Sequence, residues 1–454
     1  MNLLDLVGIG AHGVVGKQQL PIPQWMFGWG AAAALIVSFV GLAFGWREPR
    51  LAALRERALV RLPVALEVLG GALGVFLFGL VVWAGLSGEQ NVQVNLAPDA
   101  IFIGFWVGVA VASLLFGDVF AVLNPWRAIG RAVGWAMGRL GQAAEPWSYP
   151  ARLGRWPAAF WVVAFAWVEL ASQDRNDPSF LAILMLVYAG IQLAGQAAYG
   201  ERAWTANADG FAVYFSMLAR LSPLRWERGR VLLRPPGVGA VGWDVTVPGT
   251  TAVVLASIGT TSFDGFSAGP LWSDLHDPLT DFFGDVGIGG LWPMALAATV
   301  GLVVMTGLVA GFYLVGIWGV QSIDRRRDVR ELARLFAHTL IPIAAAYVFA
   351  HYFSLLTADG QALAKLVSNP LGHGTDYLGT ADWTPDLGWI SANLTWYVQV
   401  AALLAGHITG LALAHDRALE LYPDSTTAAR SQYWMLAVMV GFTSLALWLL
   451  SLNA

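Results

Sequence analysis

Apolar runs of about twenty residues, broken by short polar stretches, recur from one end of the chain to the other. Ten stand out: residues 24–45, 63–86, 100–122, 157–172, 180–199, 249–267, 291–320, 336–356, 394–415 and 432–452. A helix of such length crosses a hydrocarbon core of about 30 Å. In lipid, backbone N–H and C=O groups must find partners within the segment, and a helix supplies them. Membrane strands would instead alternate apolar and polar residues with period two, and no run does so. The pattern predicts an all-α, polytopic bundle of about ten transmembrane helices, forming a single transmembrane domain over 1–454.

Composition agrees with this and narrows the chemistry. Of the 454 residues, 57% are hydrophobic and only 12% are charged, against about 25% charged in soluble domains. Mean hydropathy is +0.60. The lipid bilayer is therefore the main partner, and no nucleic-acid partner is expected. The chain has no cysteine, which excludes disulfides, thiolate metal sites and a cysteine nucleophile.

The small net charge of −4 says less than its distribution. All but Lys17, Arg175 and Lys365 of the 26 basic residues fall in every second connection: 46–62, 123–156, 200–248, 321–335 and 416–431. By the positive-inside rule these connections are cytoplasmic and both termini are outside. An error of one span would scatter the arginines over both sides. The outer connections at 268–290 and 357–392 are acidic and read as extracytoplasmic loops. Residues 1–23 read as a short external segment lying on the membrane. Ten spans divide into five plus five, and an odd number per half inverts the halves, as in several transporter folds.

The 200–248 connection is the largest on the cytoplasmic side and reads as a loop insertion. "ADGFAVYFSMLARL" (208–221) suggests an amphipathic helix on the membrane surface. "RVLLRPPGVGAVGWDVTV" (230–247) suggests a small hairpin. Its "GVGAVG" matches G-x-G-x-x-G, but prolines precede it and no helix follows to hold a pyrophosphate.

An ionisable residue within a span costs about 2.5–3.5 kcal/mol on insertion scales, so each needs a reason. Glu67 and Asp118 lie toward inner ends, and Glu169 and Asp264 toward outer ends; either all four are interfacial and solvated, or one or more line a polar path. Asp264 is the one of interest, because "TTSFDGF" (260–266) sets it between two aromatics and a glycine at a span mouth. Four histidines fall in two spans: His338 and His351, then His407 and His415. Thirteen residues separate the first two along a helix, about 20 Å, so they cannot share an ion; eight separate the second two, about 12 Å. Antiparallel spans would bring His338 level with His415, and His351 near His407. Such pairs suit a divalent metal or haem. A histidine hydrogen-bonded to a neighbouring helix is the plainer reading of each. Gly406 and Gly410 form a G-x-x-x-G face for close helix approach, which turns His407 inward. "HDR" (415–417) reads as an inner helix end. Outside, Asp274, His276 and Asp277 offer imidazole and oxygen ligands for a divalent cation, with His373 and Asp376 in a second cluster.

The stretches "AHGVVGKQQLPIP" (11–23), "TSFDGFSAGPLW" (261–272), "HYFSLL" (351–356), "SNPLGHGTDYLGTAD" (368–382) and "WYVQVAALLAGHITGLALAHDRAL" (396–419) resemble multi-pass bacterial membrane proteins, common in actinobacteria, known as the fenitrothion hydrolase family. The resemblance spans most of the chain. It implies hydrolysis of an organophosphate ester, with water attacking phosphorus.

Three functions compete. The first is a membrane enzyme, hydrolytic or redox, with a histidine-based metal or haem centre: His351, His407 and Asp264 are its candidate catalytic residues, and His338 and His415 would bind a cofactor. Its candidate metal ligands are His351, His407, Asp274, His276 and Asp277. The second is a secondary transporter of a small solute or ion with inverted halves, which predicts discontinuous helices and a cavity. The third is a structural or assembly subunit of a membrane complex, with no pocket.

Overall fold

The computed structural model describes residues 24–141, 145–227, 229–323 and 325–452; the external segment expected at 1–23 lies outside them. In chain order the principal elements are α1 (Gln24–Gly45), β1 (Arg57–Arg61), α2 (Val64–Ser87), α3 (Leu96–Phe116), α4 (Pro125–Arg139), α5 (Trp156–Leu170), α6 (Pro178–Tyr199), α7 (Gly210–Ala219), β2 (Leu224–Glu227), β3 (Arg230–Leu233), α8 (Thr250–Ser267), α9 (Pro270–Asp285), α10 (Trp292–Ile323), α11 (Ile341–Ala358), α12 (Ala392–Leu421) and α13 (Tyr433–Leu452). Helices fall on each of the ten apolar segments. Among the described residues, seven helices are long and apolar enough to cross a membrane by length and composition. Many large apolar side chains, such as Val37, Phe44, Val68, Phe76 and Val303, face outward, as a lipid-facing surface requires.

Local chemistry fixes the helix ends. Asp177 accepts from the backbone N–H groups of Ser179 and Phe180 at 2.8 and 2.9 Å, with Pro178 in the first turn of α6. Asn95 caps the start of α3 by accepting from Ala97. Residues 100–109 of α3 are wound as a π-helix rather than an α-helix, a winding that is rare and concentrates at functional sites.

The five basic connections meet at one end of the bundle. β1, from the first of them, pairs antiparallel with β3, which pairs with β2 from the third. Arg127 pairs with Glu201 at 2.5 Å, linking the second and third. Trp46 packs in one cluster with Leu332, Phe336 and Ala428, joining the first, fourth and fifth. Asp416 accepts from Trp46 Nε1 (3.1 Å) and from the backbone N–H groups of Arg50 (2.7 Å) and Leu51 (3.3 Å). At the opposite end, the N–H of Glu89 donates to Leu371 O at 2.8 Å. The arginine-rich turns thus share one face, as their charge pattern predicts.

Three regions differ from the sequence reading. The segment expected as a surface helix, α7, is instead buried in the bundle on nearly every side. The reason is legible afterwards: between Gly210 and Ala219 only Ser216 is a polar side chain apart from the Tyr214 hydroxyl, so the helix has no polar face for water. The expected hairpin lies slightly upstream, at 224–233, and gains a third strand from 57–61. The outer connections at 268–290 and 357–392 are not simple loops. The first contains α9, and the second contains the short helix Ala362–Ser368 before an irregular stretch.

Close packing of α11 on α12 positions the site. A Cβ on Gly406 would stand 2.3 Å from Ala346 Cβ and 2.6 Å from Pro342 O; one on Gly410 would be 2.9 Å from Thr339 O. Both positions therefore need glycine, and the contact turns His407 fully inward, with no exposed surface.

Candidate functional site

The polar run of α8 carries Thr260, Thr261, Ser262 and Asp264, all buried. The facing turn of α11 carries His351 and Tyr352. Asp264 Oδ2 is 2.8 Å from His351 Nε2 and 2.6 Å from the Tyr352 hydroxyl. An ionised carboxylate only accepts, so both groups donate to it and His351 carries a hydrogen on Nε2. The opposite ring nitrogen, Nδ1, faces the backbone of α8: a Cβ on Gly265 would lie 3.6 Å from it. About a tenth of each partner side chain, 14% for His351 and 10% for Asp264, reaches solvent.

Glu169, buried near the outer end of α5, lies within electrostatic reach of Asp264 and of Arg175. Two carboxylates, one imidazole and one phenol thus share a low-dielectric region. With both carboxylates ionised, the region would hold two negative charges close together, which burial makes costly even with Arg175 in reach of Glu169. A proton held within the cluster reduces that charge. The arrangement is therefore suited to taking up and releasing protons.

Aromatic side chains close the cluster on its inner flank. Trp106, on the π-helical stretch of α3, stacks on Tyr214 of α7 with ring centres 4.6 Å apart, and packs on Phe165 at 4.6 Å. Trp106 also adjoins Tyr352. On another flank Phe263 meets Trp272 edge to face at 5.0 Å. Beyond the Trp106 layer lies an open crevice of about 480 Å³, lined almost wholly by apolar and aromatic side chains including Phe105, Phe165, Phe211, Trp126 and Tyr188, with the exposed Leu77 and Val187 at its mouth.

The other predicted residues go elsewhere. The rings of His351, His407 and His415 bond to groups other than a facing histidine. His415 Nε2 donates to Trp46 O at 2.8 Å, and its Nδ1 is 3.1 Å from Gln432 Nε2. Both nitrogens are engaged, so neither is available to a cofactor. With Asp416 it clamps the 46–51 turn to α12, which is what "HDR" does here. His338 sits in the tight turn Ala337–Leu340, 1% exposed. His407 donates from Nδ1 to its own helix, at Leu403 O, 2.7 Å away. On α9, His276 Nδ1 is 3.3 Å from the neighbouring Asp277, whose side chain is 83% exposed. Among the described residues no group of three or more His, Cys, Asp or Glu side chains could hold a metal ion, the set Asp274, His276 and Asp277 included. Asp376 accepts from the Ser368 hydroxyl and from the Ala381 N–H at 3.1 Å, contacts that hold its carboxyl below its ordinary value.

Tyr352 was not singled out from the sequence. Successive helical residues point about 100° apart, so His351 and Tyr352 would not be expected to converge. They do so because the Asp264 carboxylate stands between their directions. A tyrosine directly beside a span histidine was the available signal.

Comparison with protein-family models, curated proteins and solved structures gives no match to the chain.

Proposed function

We propose that this protein is a ten-span membrane carrier, with both termini outside, that couples movement of a lipophilic small molecule to proton transfer at Asp264, His351 and Tyr352. The observation that carries the reading is the buried carboxylate bonded to an imidazole and a phenol beside a second carboxylate. In membrane proteins such chains serve proton relays. Two features support it. Carrier sites are commonly built from discontinuous helices, and here α7 is a short buried helix while α3 changes winding beside the cluster. A crevice of about 480 Å³ is within the range of small-molecule sites. It is one aromatic layer away from the proton site, and its lining favours an apolar or amphiphilic solute.

An enzyme of the kind the fenitrothion hydrolase resemblance implies is the second reading. It is favoured by one feature: Asp264 orients His351 as a base is oriented in hydrolytic sites. The decisive experiment uses sealed vesicles containing the purified protein, an imposed pH gradient, and the lipophilic cations ethidium and tetraphenylphosphonium and the neutral fenitrothion as probes. The carrier reading expects gradient-driven uptake of at least one probe, lost in Asp264→Asn. Uptake indifferent to the gradient and to Asp264→Asn would overturn it. Release of an alcohol from the phosphate ester, lost in His351→Gln, would favour the hydrolase.

A further inference from the structure

His407 sits apart from the proton cluster and has a chemistry of its own. Leu403 O can only accept, so the 2.7 Å contact fixes the hydrogen on His407 Nδ1. A second proton would place an unpaired charge on a residue with no exposed surface, at the cost that burial of an isolated ion carries. Nε2 is therefore a bare lone pair, and it is buried with no hydrogen-bond partner.

The ring lines a small cavity of about 60 Å³ between α8, α10, α11, α12 and α13. Two methionines, Met435 and Met439, line the same space. They are four residues apart on α13, hence on one face of that helix. Nearly all the remaining lining is aliphatic or aromatic, and the one phenol, that of Tyr313, already donates to Ala333 O at 2.7 Å. A water in such a space would find one acceptor where two to four polar partners are needed. Water is thus a poor answer to the orphaned nitrogen.

We propose that His407, Met435 and Met439 form an intramembrane site for a soft monovalent cation, copper(I). Thioethers and an imidazole are the donor types that select this ion over zinc, calcium or magnesium. A monovalent cation on three neutral donors brings one charge into the bundle, against two for a divalent ion. The site is separate from the carrier reading and stands or falls without it.

The test uses the full-length protein in detergent, stripped of metal and incubated anaerobically with copper(I) against a competing chromophoric chelator. The expected result is one copper(I) retained per chain, with X-ray absorption reporting one nitrogen and two sulfur neighbours. Met435→Leu/Met439→Leu conserves side-chain volume and should fold normally; it is expected to weaken binding at least about tenfold. His407→Gln should do the same. Equal copper retention by the double leucine variant and the parent would overturn the proposal, as would absence of bound copper(I) in the folded parent. Zinc in excess should not displace the copper; displacement would also count against the assigned donors.

Discussion

Replacing Asp264 separates its structural role from its chemical one. The carboxylate accepts two hydrogen bonds, from His351 and Tyr352, at 2.8 and 2.6 Å on the same oxygen. Asp264→Ala leaves both donors unsatisfied. A buried group stripped of its partner costs about 1–3 kcal/mol, so the expected loss is about 2–6 kcal/mol by that rule. The lower part of that range is favoured, because 14% of the His351 side chain is exposed and can find water. Asp264→Asn keeps an acceptor oxygen in the same place but cannot bind or release a proton. Its cost should stay near that of one neutral hydrogen bond, about 0.5–1.5 kcal/mol. Detergent-induced unfolding of the purified protein measures both. Alanine should be worse than asparagine by at least about 0.5 kcal/mol by the same rule, although both variants lose gradient-driven uptake. Equal stability losses would mean that the two donors do not depend on Asp264, and the site geometry would be wrong.

Other expectations follow from the packing. Gly406→Ala forces a methyl against Ala346 and Pro342 and should cost about 1–3 kcal/mol; Gly307→Ala, with nothing within 4 Å, should be neutral or slightly stabilising by the same unfolding assay. Asp416→Ala removes the acceptor for Trp46, Arg50 and Leu51, so trypsin should cut after Arg47 or Arg50 faster than in the parent, with no change expected in Arg417→Lys. The Asp376 carboxyl is held below its ordinary value first by the Ser368 hydroxyl. Its folded value is lower than its unfolded one, so its stabilisation of the 368–381 turn is full above about pH 4 and fades as pH falls below that. Protection factors for hydrogen exchange at the Leu378 and Ala381 amides, taken relative to the intrinsic rate at each pH, should fall on acidification, and Asp376→Asn should flatten that dependence.

Much of the architecture is legible in the sequence because lipid imposes it. Span length, helical winding and arginine placement are each fixed by the bilayer, and helices do fall on the ten apolar segments. Contacts made across the bundle are a different matter. Strand β1 ends 169 positions before its partner β3 begins, and no local pattern announces such a sheet. Depth along a helix can be computed from a rise of about 1.5 Å per residue, which is why His351 and His407 look like partners. Azimuth and helix order cannot be computed that way, and they send His351 to Asp264 and His407 to its own backbone. Glu169 looked interfacial from its place near a span end; the bundle closes over it because α7 enters the interior. That entry was hidden by Asp209 and Arg220, which flank an otherwise apolar decapeptide.

The claim that matters most is that the Asp264 cluster gains and loses a proton while the protein stays folded. Infrared difference spectra between acidic and neutral pH, taken on the protein in lipid nanodiscs, read this directly. One component of the protonated-carboxyl band that appears on acidification should be missing in Asp264→Asn and shifted in Tyr352→Phe, which removes one donor to the same oxygen. A carboxyl difference spectrum identical in the parent and the folded Asp264→Asn protein would contradict the account.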